Sequence, residues 1–124
     1  MPEDEEKGTK PEFLTPLETQ VVKEGQKAEF HCEVIGEPKP SVIWQRNGKT
    51  IRESHDFRYV VKDNTYKLVI REAYTEDAGT YTVLARNAAG KATSEADLIV
   101  KTGKLYLLYL KLLGRASTWF TDID

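Results

Sequence analysis

At 124 residues the chain has room for one domain and a short appendage, and two full domains are excluded. Its 18 basic and 20 acidic side chains nearly cancel to a net charge of -2, which provides no global field for nucleic acid or an anionic membrane. Hydrophobic residues at 40% and charged residues at 31% support a modest core and argue against a wholly disordered chain.

Residues 1–10 carry Glu3, Asp4, Glu5 and Glu6 with almost nothing apolar, and read as an acidic flexible head or linker. They contain no apolar h-region, so no secretory signal is expected, and neither Asn47, Asn64 nor Asn87 begins a glycosylation sequon. From Pro11 onward, short apolar runs alternate with turn residues, which is an all-β texture. Residues 13–22 supply one or two strands. Residues 27–34 give the clearest one, with Ala28, Phe30, Cys32 and Val34 on one face and Lys27, Glu29, His31 and Glu33 on the other. Period two points Cys32 inward and His31 to solvent, so the two form no dyad. Pro38 and Pro40 make residues 36–40 a turn that cannot join a ladder. Residues 41–46 form the next strand, with Val42 and Trp44 inward, and Asn47-Gly48 suits a tight hairpin.

Further strands follow at residues 57–61 and 66–71, joined through Asp63 and Asn64, with Tyr66, Leu68 and Ile70 facing inward. Residues 81–86 present Tyr81, Val83 and Ala85 inward. A turn at residues 87–90 leads into the last strand, residues 93–101, whose inner face holds Ala96, Leu98 and Val100. Seven or eight strands at this spacing predict a β-sandwich.

The spacing of Cys32, Trp44, Leu68 and the run Asp77-Ala78-Gly79-Thr80-Tyr81 resembles an immunoglobulin domain. Residues 36–40 before the tryptophan strand, Glu24-Gly25, Pro11-Glu12-Phe13, Leu17 and residues 85–90 narrow the resemblance to the I-set, over residues 11–102. It implies that Trp44 packs at the centre of the sandwich, that Tyr81 returns its hydroxyl to nearby backbone, and that Asp77 accepts backbone or arginine hydrogen bonds, with Arg58 as the partner. Where extracellular members carry the second bridging cysteine, this sequence has Val83. A disulfide is worth about 2–5 kcal/mol to a secreted domain, so its absence suits a reducing compartment. The chain most resembles muscle and cytoskeletal I-set modules such as those of titin, twitchin, obscurin and the myosin light chain kinase relatives. The resemblance implies a non-enzymatic structural and protein-interaction module of the cytoplasm, in a sarcomere or cytoskeleton, joined to neighbouring modules. The alternative is an extracellular adhesion or receptor immunoglobulin domain lacking its bridge.

No nucleophile elbow, phosphate-binding glycine loop or zinc-protease helix is present in the sequence. Glu76 and Asp77 read as turn residues rather than an acid–base pair, His55 as a solvated loop residue, and Cys32 as a small buried hydrophobe. One cysteine and two histidines are too few for a thiolate zinc site, and no cofactor is expected. Partner binding is expected at two places. Alternation turns Ile43, Leu84 and Ile99 outward on one sheet. Residues 103–124 form an apolar extension in which eight of the nine residues from Leu105 to Leu113 are apolar. That run is short of the roughly 20 residues a membrane-spanning helix needs. Leucine dominance favours a helix there over a strand added to a free sheet edge, with Leu105, Leu108 and Leu112 available for self-association, a partner groove or a membrane interface, and self-association would make the chain a tail-driven adaptor.

Overall fold

This computed structural model describes residues 8–103 and residue 112. Among the described residues nine strands form, in chain order: β1 (Thr9–Thr15), β2 (Gln20–Lys23), β3 (Ala28–Glu37), β4 (Ser41–Arg46), β5 (Lys49–Thr50), β6 (Phe57–Lys62), β7 (Thr65–Ile70), β8 (Gly79–Asn87) and β9 (Gly90–Lys101). They make a four-stranded sheet of order β1-β3-β7-β6 and a five-stranded sheet of order β2-β9-β8-β4-β5, which face each other as an immunoglobulin-like sandwich. All neighbours are antiparallel except β2 and β9, which run parallel from Gln20 beside Leu98 to Lys23 beside Lys101.

The period-two pattern is what separates the faces. Along β3 the side chains of Ala28, Phe30, Cys32 and Val34 are buried, while His31 is exposed. Tyr66, Leu68 and Ile70 on β7 and Tyr81, Val83 and Ala85 on β8 complete the two inner faces, with Trp44 between the sheets. Phe30 and Tyr81 stack across the sandwich with ring centroids 4.9 Å apart and planes inclined by 30°, a contact worth about 0.5–1.5 kcal/mol beyond area burial. Among the described residues no polar or charged side chain is buried, and no buried side-chain nitrogen or oxygen lacks a partner.

Turn chemistry closes the hairpins. Asn47 and Gly48 both take positive φ, 50° and 85°, as a two-residue hairpin turn that matches strand twist requires. Gly79 opens β8 where a Cβ would stand 2.7 Å from Asn47 Oδ1. Its bare backbone lets Thr80 donate to that same Oδ1 at 3.0 Å, locking the hairpin tip against the start of β8.

Three local features differ from the sequence reading. β3 runs through Gly36 and Glu37, because β1 reaches up to pair Thr9 with Glu37; the ladder stops only at Pro38, which has no N–H to donate. β1 accordingly takes in Thr9 and Lys10 from the segment read as a head, and Thr9 Oγ1 accepts from Glu37 N at 3.1 Å. β5 is a ninth strand of two residues, too short to carry a period-two signal.

The chain enters and leaves at opposite ends. Asn87 and Gly90 close the β8–β9 hairpin beside Thr9, whose carbonyl accepts from Asn87 Nδ2 at 2.7 Å. β9 then runs 12 residues to Lys101, roughly 40 Å at about 3.4 Å per residue.

Candidate interaction surfaces

Burial sets the chemistry of the centre first. Cys32 is fully buried, and burial pushes its thiol up to about 12, so almost none of it is thiolate near neutral pH. Burial likewise raises Tyr81, against a smaller lowering by Arg46. The Tyr81 hydroxyl donates to the Asp77 carbonyl at 2.6 Å. Around that corner sits the 3-10 helix Thr75–Asp77, where Asp77 Oδ2 accepts from Tyr74 N at 2.9 Å. The cation on Asp77 is Arg46, with Nη1 3.4 Å from Oδ1, and not Arg58. Register explains the correction: β4 places Arg46 directly opposite Tyr81, whereas Arg58 lies exposed on β6 of the other sheet, opposite Val69.

The five-stranded sheet turns Ile43, Leu84 and Ile99 away from the core, but it does not gather them into one patch. Ile43 and Leu84 are directly opposed on β4 and β8, and both are half-buried. Leu84 stands opposite Thr93 on β9, six residues or about 20 Å from Ile99. Between them lies a polar band in which Thr80 Oγ1 donates to Asp97 at 3.0 Å and Thr82 faces Glu95. Ile99 instead pairs with Val21 across the parallel β2–β9 seam, and both are about half exposed. Alternation reports which way a side chain faces and says nothing of its height on the sheet. Val21 was missed because β2 has only four residues.

Leu105 and Leu108 lie outside the described residues, as does most of the helix expected over that run. Leu112 is 80% exposed. Among the described residues, no helix is long and apolar enough to cross a membrane, and no group of three or more His, Cys, Asp and Glu side chains could hold a metal ion.

The model of the immunoglobulin I-set domain matches residues 11–100. The chain is 40% identical over 97 residues to the muscle M-line assembly protein unc-89 of Caenorhabditis elegans, covering 78% of this chain and 1% of that protein. It is 39% identical over 102 residues to titin of Drosophila melanogaster, covering 82% of this chain and 1% of that protein. It therefore spans a very small share of these relatives. A crystal structure of a titin M10–obscurin-like 1 Ig complex superposes with a TM-score of 0.75 at 35% identity, covering 77% of this chain and 97% of the other.

Proposed function

The chain belongs to the immunoglobulin I-set family, and we infer that it serves as a non-enzymatic link in a head-to-tail array of modules, inside a muscle or cytoskeletal protein. The observation that carries this reading is the opposite placement of the two ends, with β1 entering beside Asn87 and β9 leaving beside Lys23. A neighbouring module attached at either end continues the long axis.

The same placement defines a load path. Tension drawn upward on β1 and downward on β9 slides β2 along its parallel partner. Four residue pairs, from Gln20 and Leu98 to Lys23 and Lys101, then resist together in shear. Glu24 N adds a bond to the Lys101 carbonyl at 2.9 Å, just past the ladder. Relatives of the chain are muscle proteins, and a single buried thiol, with no second cysteine to bridge it, suits an intracellular setting. Protein partners fit this family, since the related titin M10 structure is a complex with an obscurin-like 1 Ig domain.

Single-molecule stretching between residues 8 and 102 tests the reading. It predicts one discrete unfolding event per module, above the extension of the linkers. Smooth extension without such an event contradicts it.

A further inference from the structure

The open side of the sandwich lies between the two terminal strands β5 and β6. There an open surface cleft of about 450 Å³ is lined by Arg46, Asn47, Lys49, Ile51, Arg52 and Phe57. Its charged groups are all cationic. Arg46 is half committed to Asp77 at 3.4 Å, but Lys49 and Arg52 are exposed and join no ion pair among the described residues. The nearest acid in sequence, Glu53, is not among the lining residues, and its Oε2 accepts from Tyr59 N on β6 at 3.1 Å. Ile51 and Phe57 give the cleft an apolar floor. β5 borders it as the last strand of its sheet, with backbone groups facing outward.

A chain of net charge -2 thus carries a concentrated positive cleft, and it also carries four consecutive carboxylates at Glu3, Asp4, Glu5 and Glu6. Within one molecule the acidic stretch joins the domain at the corner opposite the cleft. Gly8 enters on the β1 edge of the four-stranded sheet, at the pole marked by Glu37 and Asn87. The cleft lies three strand spacings away, about 14 Å, and its Arg46 end is five residues further down β4, about 17 Å. Glu6 is two residues from Gly8, a reach of about 7 Å, and Glu3 is five residues away, about 18 Å even if fully extended. The straight line to the cleft is about 22 Å and the body of the sandwich lies across it, so a main-chain path must go round the domain and exceeds that reach.

We propose that the Arg46–Lys49–Arg52 cleft receives the acidic segment Glu3–Glu6 of a second copy, laid extended along β5. Alternation in an extended segment turns two of the four carboxylates toward the cations, while the strand edge accepts its backbone. The polarity suits head-to-tail contact of two copies: the acidic stretch joins one at its upper pole, and the cleft, beside Asn47 and Thr80, occupies the lower half of the other. The proposal rests on the array reading for that polarity alone, and its test measures binding rather than mechanics, so the two fail separately.

The experiment titrates a fluorescent peptide of residues 1–8 against the full chain and follows anisotropy. Saturable binding is expected, weakening about tenfold between low and high salt as screening shortens. K49E/R52E should weaken it by a further factor of about ten or more. K39E/K91E alters net charge equally at exposed lysines of the other pole, and should change affinity less than about twofold. Circular dichroism checks that each variant is folded. Absence of saturable binding at millimolar protein, or equal weakening in the two variants, overturns the proposal.

Discussion

Around Trp44 the two sheets meet through aliphatic and aromatic side chains, whereas at the pole where the chain enters, one polar side chain holds three segments together. Asn87 Nδ2 donates to the carbonyls of Thr9 at 2.7 Å and Pro38 at 2.9 Å, and its Oδ1 accepts from Ala89 N at 2.9 Å and Gly90 N at 3.1 Å. That uses the full hydrogen-bonding capacity of an amide. The centre resists mainly through non-directional burial, its directional side-chain bonds being those of the Tyr66 and Tyr81 hydroxyls to the Pro40 and Asp77 carbonyls. The pole resists through directional bonds that fix where β1 begins, and so where tension would enter. Stability and load geometry are thereby governed by different residues.

Truncating the centre should have the largest effect. Phe30→Ala removes a fully buried ring and its stack on Tyr81, and is expected to cost about 3–5 kcal/mol in urea unfolding. A loss under about 1 kcal/mol would mean that the centre is not tightly packed.

Alkaline pH probes the same region through Cys32. Below pH 9.0, the ordinary value of the group, both folded and unfolded chains keep the thiol proton, so its contribution is fully present. Between 9.0 and about 12 only the unfolded thiol ionises, so stability falls by about 1.4 kcal/mol per unit, roughly 2 kcal/mol by pH 10.5. Tyr66 and Tyr81, also raised by burial, steepen the fall at higher pH. Cys32→Val should remove the part of the decline that begins at pH 9.0, which chemical denaturation across pH 8–11 would register.

At the pole, Asn87→Ala is expected to cost about 1–2 kcal/mol, because water replaces much of what is lost at a half-exposed site. Asn87→Asp should retain the bonds from Ala89 and Gly90 and lose those to Thr9 and Pro38. Hydrogen exchange would then rise along β1 and stay low in β7 and β8. A uniform rise would erase the distinction between pole and centre. Leu84→Lys, on the outward half of the Ile43–Leu84 pair, should cost at most about 1 kcal/mol; unfolding of the domain would show that the outer face is part of the core.

Legibility in the sequence divides along the same line. Cys32, Trp44, Leu68 and Val83 are readable because period two needs only neighbouring residues to reveal a face. The tie between Asn87 and Thr9 joins residues 78 apart through one amide, and nothing local to either position announces it. Arg46 and Asp77 are 31 apart, and choosing Arg46 over Arg58 required the β4–β8 register. The cleft at Arg46, Lys49 and Arg52 was equally hidden, since its cations are spread over a hairpin and the strand edge beside it. Surface positions such as Ile99 had a readable direction but an unreadable height.

The central claim is that tension between the ends loads β2 against β9 in shear. It is tested most directly by pulling one molecule in two directions. In a Cys32→Val background, one variant is held at residues 8 and 102, and another at cysteines replacing Glu24 and Thr102, which lie at the same end of the parallel pair. The first geometry slides the strands past each other, while the second peels their bonds apart one at a time. The account predicts a clearly higher unfolding force for the first. Equal forces, or a higher force in the second, would contradict it.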